Sequence, residues 1–243
     1  SPVKILNKRP DKFPIHICNC VVTNISEKKK TGFQEIILIP KTKNFSDAFF
    51  ANMFVYRKLG SLLKTNEKTE DGSFITSQKN ETVLYYLDQL TNEITKKLGV
   101  EFSFGLNVNA ASIFSNGFYR TGKENLLVND HIKELNKLIN RFDIEYLEDP
   151  LETQNVNLMG KIKTELISGN RIFCNNLQNF KTYARYFNCA VIKINQAGSL
   201  GRLKKILDFC KNNDMYTVLG QNLGETNDSI ISDIAAGFEF DFI

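Results

Sequence analysis

The sequence has no run of about 18 apolar residues, so no helical membrane span is expected. Histidine is scarce, at two residues, His16 and His131. The five cysteines (Cys18, Cys20, Cys174, Cys189 and Cys210) are odd in number and follow no repeated spacing. Cys18-Asn19-Cys20 lacks the second ligand pair that a zinc site needs. Neither a disulfide framework nor a structural zinc is expected, and reduced thiols point to a cytoplasmic protein. The opening Ser1-Pro2-Val3-Lys4 lacks the layout of a signal peptide. There is also no strong excess of one charge. Lys and Arg number 31 against 27 Asp and Glu, a net charge of +4, and the lysines fall mostly on predicted helix faces. One basic turn, SEKKKT at 26–31, stands out. Without a dense basic patch interleaved with aromatics, no nucleic-acid partner is expected.

The 243 residues, 42% of them hydrophobic, can bury the core of one large domain. From about residue 101 a unit recurs: a short apolar segment, a polar cluster, then an amphipathic segment. Strands are predicted at 102–108, 144–148, 172–175, 190–194, 216–219 and 240–243. Helices are predicted at 129–141, 154–167, 179–187, 201–211 and 228–237. In Leu203-Lys204-Lys205-Ile206-Leu207-Asp208-Phe209-Cys210, apolar residues at i, i+3, i+4 and i+7 mark one buried face. Such alternation implies a parallel sheet, and this many units favour a barrel, whose chemistry sits at the C-terminal strand ends. The first hundred residues are less regular: a strand at 33–39, helices at 47–63 and 82–98, and a polar loop at 64–80.

Three segments resemble the enolase family. They are Tyr146-Leu147-Glu148-Asp149-Pro150, Ile192-Lys193-Ile194-Asn195-Gln196-Ala197-Gly198-Ser199-Leu200 and Gly224-Glu225-Thr226-Asn227-Asp228. They are similar, in order and separation, to the family's E-D-P strand end, its K-x-N-Q-x-G-S strand and turn, and its S-H-R-S-G-E-T-x-D loop. Phe33-Gln34-Glu35 through Pro40, Asn44-Phe45-Ser46-Asp47-Ala48 and Gly105-Leu106-Asn107-Val108 extend the likeness toward the N-terminus. The resemblance implies an α/β fold, the enolase-type TIM-like (β/α)8 barrel with a modified strand and helix start. It implies that residues 1–243 form that barrel domain, incomplete at the C-terminal end and without the family's N-terminal capping domain. Aligned on 237–243, the chain stops before the family's second active-site lysine.

Enolases dehydrate 2-phosphoglycerate with a lysine base, carboxylate-held magnesium and an acid. The resemblance puts Lys193 at the base position. Glu35 and Asp71, the latter in Glu70-Asp71-Gly72-Ser73-Phe74, fall where the family carries acidic groups. The family's metal triad of Asp, Glu and Asp is matched by Asn107, Glu148 and Asn176, with Asn175 replacing an adjacent Asp. Aligning on Ala110-Ala111-Ser112 instead puts Val108 at the first position, and neither choice supplies an Asp. Gln221 and Asn222 stand where the family's His and Arg grip the substrate, so a charged, bidentate anion clamp is gone. The expectation is an enolase-like pseudoenzyme with a binding or structural role, with no cofactor, or magnesium if the site is active. The alternative is an active divergent enolase, or another proton-abstracting enzyme of that superfamily, acting on a small acid like 2-phosphoglycerate. A homodimer or a protein partner is compatible with either.

Overall fold

A computed structural model describes residues 14–23, 25–26, 29–30, 33–69, 72–121, 124–221, 226 and 228–243, with backbone only at 19–30. The chain divides into two compact units, Ile17–Ile167 and a second made of Ser168–Ile243 with the described residues 14–16.

The first unit opens with β1 (Cys18–Thr23), a strand the apolar pattern did not reveal, and the short antiparallel pair β2 (Ile25–Ser26) and β3 (Lys29–Lys30). Then follow β4 (Glu35–Pro40), α1 (Phe45–Leu63), β5 (Phe74–Thr76), α2 (Asn80–Leu98) and β6 (Phe102–Asn107). β5 lies inside the stretch read as a polar loop. β1 runs antiparallel to β4 and parallel to β5, and β4 runs antiparallel to β6. The irregular start therefore has a cause: two consecutive strands pair antiparallel before the parallel pattern begins. Asn44 starts α1, its side chain accepting hydrogen bonds from the Ser46 and Asp47 amides.

The single-turn α3 (Ala110–Ile113) leads into a three-stranded meander, β7 (Phe114–Ser115), β8 (Phe118–Thr121) and β9 (Glu124–Leu126). α4 (Val128–Phe142) follows. It buries His131, Ile132, Leu135, Leu138, Ile139 and Phe142, the stripe its sequence predicts. β10 (Ile144–Glu148) then pairs parallel with β6, the first parallel pair between units of the repeating kind.

The structure corrects the next prediction. The stretch 154–167, read as a helix, is a 3-10 helix at Thr153–Lys161 followed by a strand, β11 (Leu166–Gly169). Residues 172–175, read as the strand, form a turn beyond β11. Leu166, Ser168 and Gly169 of β11 are buried, and the strand was hidden because Leu166-Ile167 also fit the end of a helical apolar pattern while Ser168-Gly169 break an apolar run. Phe173 is buried because its ring stacks on Phe180, at 4.1 Å between centroids, rather than because it lies in a sheet.

In the second unit β11 pairs parallel with β12 (Cys189–Ile192), which pairs parallel with β13 (Tyr216–Leu219). Between them lie α5 (Leu177–Tyr183) with a 3-10 turn at Ala184–Tyr186, the short α6 (Ile194–Ala197), and α7 (Leu200–Asn212). α8 (Ile230–Gly237) closes the set. The predicted strand at 240–243 is reduced to isolated parallel bridges from Phe242 to Val218 and Ile15. Among the described residues, no helix is long and apolar enough to cross a membrane.

Candidate functional site

Three predicted site residues of the first unit come together, because strand register puts them there. Glu35 pairs with Asn107 across β4 and β6, and Asn107 pairs with Glu148 across β6 and β10. Residues in register on neighbouring strands point to the same face of a sheet. The result is a row of carboxylate, amide and carboxylate at the strand ends, with Asn107 and Glu148 buried.

Each member of the row is wired. Asn107 Nδ2 donates to Glu35 Oε2 at 2.9 Å, and Asn107 Oδ1 accepts the Asn109 amide at 3.1 Å. The Tyr146 hydroxyl donates to Glu148 Oε2 at 2.9 Å. Tyr146 sits two residues before Glu148 and so shares its face, a link the alternation in Tyr146-Leu147-Glu148 carried but sequence reasoning did not use. Gly105 makes room for it: a Cβ there would lie 2.9 Å from the Tyr146 ring. The backbone is strained at this edge. Asn109 and Asp149 both take left-handed conformations (φ +43°), and their neighbours lock them, with the Val108 amide donating to the Glu148 carbonyl and the Ala110 amide to the Asp149 carbonyl.

The remaining described site residues lie in the second unit and are taken by themselves. After β11 the chain turns through two successive left-handed residues, Cys174 (φ +45°) and Asn175 (φ +47°). Asn tolerates that conformation better than most side chains. The two adjacent amides then part company. Asn175 is buried; its Nδ2 donates to Gln196 Oε1 at 2.6 Å, and its Oδ1 accepts the Lys193 amide at 3.3 Å. Asn176 is exposed and acts as the N-cap of α5, with Oδ1 accepting the Gln178 amide at 2.8 Å. Asn176 was chosen from sequence as the third metal position. The structure commits its oxygen to a helix cap and turns Asn175 toward Lys193. Gln196 belongs to the quoted turn motif, but its role as the Asn175 partner emerges only from the fold.

Lys193 directly follows β12 and is half-buried, and its Nζ has no hydrogen-bond or ion-pair partner among the described residues of its own unit. Gly220 is required beside it, since a Cβ there would lie 2.8 Å from Val191 Cγ1 and 3.4 Å from Lys193 Cε. Gln221 follows Gly220 and is exposed. Asn222 and Asp71 lie outside the described residues. Among the described residues, no three His, Cys, Asp or Glu side chains gather into a group that could hold a metal ion.

These residues were singled out by likeness to one family, and comparison with known proteins bears on that likeness directly. The family model described as "Enolase, C-terminal TIM barrel domain" matches residues 11–243. Enolase of Sulfolobus acidocaldarius is 26% identical over 97% of this chain and 59% of its own length. Enolase of Saccharolobus solfataricus is 27% identical over 98% of this chain and 60% of its own. Enolase of Halorubrum lacusprofundi is 25% identical over 97% and 62% respectively. The chain thus spans about three fifths of the length of these curated relatives. With a match running from residue 11 to the last residue, and with strand–helix order and strand-end motifs in agreement, the chain belongs to the enolase family through its α/β C-terminal TIM barrel domain.

Proposed function

We propose that this protein is a cytoplasmic, enolase-like barrel that has lost most or all 2-phosphoglycerate dehydratase activity and serves as a binding or structural protein. One observation carries the reading: of the three positions where the family places metal-binding carboxylates, only Glu148 is an acid. The amide at Asn107 is spent on Glu35 and on the Asn109 backbone, and the amides at Asn175 and Asn176 are spent on Gln196, the Lys193 amide and a helix cap. Magnesium dehydrates reluctantly and prefers charged oxygens. Each missing carboxylate forfeits roughly 4 kcal/mol of attraction at 4 Å and an effective dielectric of 20. This donor set does not fit catalytic magnesium. The exposed amide of Gln221 in place of a charged clamp fits the same reading.

A second reading has its own support. Lys193 keeps an unengaged Nζ within its unit, and Glu35 and Glu148 remain as acids in one row. A divergent enzyme of the superfamily would use Lys193 to take a proton from a small acid like 2-phosphoglycerate.

The test is magnesium titration of the full-length protein by calorimetry, with and without 2-phosphoglycerate, alongside an assay for phosphoenolpyruvate. No binding isotherm at millimolar magnesium and no turnover is the expected result. Turnover near that of ordinary enolases would overturn it. Slow turnover abolished by Lys193→Ala would establish the second reading instead.

A further inference from the structure

The second unit carries a groove where β13 begins, at the opposite end of the parallel β12–β13 pair from Lys193. One side is the α7 stripe of Lys204, Leu207, Asp208 and Lys211, and the other is the turn after α8, from Gly237 to Asp241. The cavity between them holds about 570 Å³. Its floor is apolar: Met215 is buried, Leu207 and Phe238 are half-buried, and Tyr216 is 47% exposed. A volume of this size takes a few side chains of a partner.

The rim is acidic although the chain as a whole carries a net charge of +4. Asp208, Asp214, Glu239 and Asp241 line it together with two lysines. Lys204 is spent on Asp208, its Nζ 2.8 and 2.7 Å from the two carboxylate oxygens. Asp214 has no side-chain partner among the described residues. Asp214 and Glu239 also break local rules: each follows the C-terminus of a helix, α7 or α8, and each holds a left-handed backbone (φ +51° and +59°). Glycine or asparagine suits that conformation, and a cation suits a helix C-terminus. Local preference is contradicted twice at one groove, both times in favour of negative charge. We infer that this groove docks a basic segment of a partner protein, an apolar side chain resting on the floor and flanking arginines or lysines meeting Asp214, Glu239 and Asp241.

Charge complementarity selects the occupant. With Lys204 neutralised by Asp208, three carboxylates stand against Lys211 alone, a field that draws cations and repels nucleic acid and anionic lipid. From Lys204 to Lys211 the α7 stripe runs about 10 Å, which matches about three residues of extended chain. The segment recognised is therefore short, an apolar residue with a basic residue on each side, and its affinity is modest. Because the groove lies at the other end of the strands, the inference stands whether or not the strand-end site is catalytic.

NMR titration of the isotope-labelled full chain with the end-capped peptide Gly-Arg-Leu-Arg-Gly, at low salt, tests it. A dissociation constant of about 1 mM or below is expected, with shifts centred on the amides of residues 207–217 and 237–241. Asp214→Asn with Glu239→Gln should weaken binding about tenfold, and Tyr216→Ser about threefold. Asp214→Gly should weaken it too, yet raise the Tm in circular dichroism melts, because glycine relieves the left-handed backbone. The peptides Gly-Glu-Leu-Glu-Gly and Gly-Arg-Ser-Arg-Gly should bind more weakly, the first because its charge is wrong and the second because it leaves the floor bare. No shift with the first peptide at about 10 mM, equal binding of either control peptide, or binding indifferent to the acid substitutions would each overturn the inference. So would an Asp214→Gly chain less stable than the parent, or the same shifts appearing on raising the protein concentration alone, which would seat a second copy in the groove.

Discussion

Restoring one carboxylate, by Asn107→Asp, probes the chemistry of the strand-end row directly. In the parent the Asn107 amide donates to Glu35 Oε2 at 2.9 Å and lies in register with Glu148 on its other side. The substitution replaces that donor with an oxygen and places three acids on adjacent strands at a buried position. Losing a hydrogen bond to a charged acceptor costs about 1.5–3 kcal/mol. Repulsion adds to this, limited because one carboxyl takes up a proton rather than endure it. A destabilisation of roughly 3 kcal/mol at neutral pH without magnesium follows, or about 6–12 °C in Tm for a chain of this size. The new carboxyl titrates above the ordinary range, so its folded pKa exceeds its unfolded one. The penalty is therefore present at neutral pH and relieved as pH falls through the folded pKa. A divalent cation should relieve it too: millimolar magnesium should raise the Tm of Asn107→Asp by several degrees while moving the parent little. Thermal melts by circular dichroism, across pH and with and without magnesium, measure all three effects. A variant as stable as the parent at pH 7 and insensitive to magnesium would refute the argument that the amide holds this row together.

Two further outcomes follow from the geometry. His131 is buried, stacked on Tyr119 at 4.2 Å, with Nε2 3.1 Å from the Pro150 carbonyl oxygen, and burial lowers its pKa from 6.5 to about 4. On acidification the unfolded chain takes up that proton first, so roughly 3 kcal/mol of stability should drain away between pH 6.5 and 4, and urea midpoints across that window should show a slope that His131→Phe flattens. Asn175→Ala and Asn176→Ala, although adjacent, should differ: the first removes two part-buried hydrogen bonds, to Gln196 Oε1 and from the Lys193 amide, and should cost about 1–3 kcal/mol, the second removes an exposed cap and should cost about 1 kcal/mol, and equal losses in urea unfolding would contradict the division of labour between the two amides.

Residue order alone was enough to read the alternation from 101 onward, the amphipathic faces of α4 and α7, and the motifs that place Glu148 at the end of β10 and Lys193 just beyond β12. These are local signals: periodicity and capping report on the surface that an element buries, whatever it is buried against. Tertiary structure decided what local signals leave open. Ile172-Phe173 has the apolar character of a strand, but its burial comes from Phe173 stacking on Phe180, while the more polar Leu166–Gly169 takes the place beside β12. A short apolar run says that a segment is covered and not by what. The same holds at the site. Sequence could say that Asn175 and Asn176 stand in place of acids; only the left-handed turn through Cys174 and Asn175 decides that one amide faces inward to Gln196 and the Lys193 amide while its neighbour caps a helix. The row of Glu35, Asn107 and Glu148 is likewise a product of strand register, which joins residues more than a hundred positions apart through hydrogen bonds that no local pattern encodes.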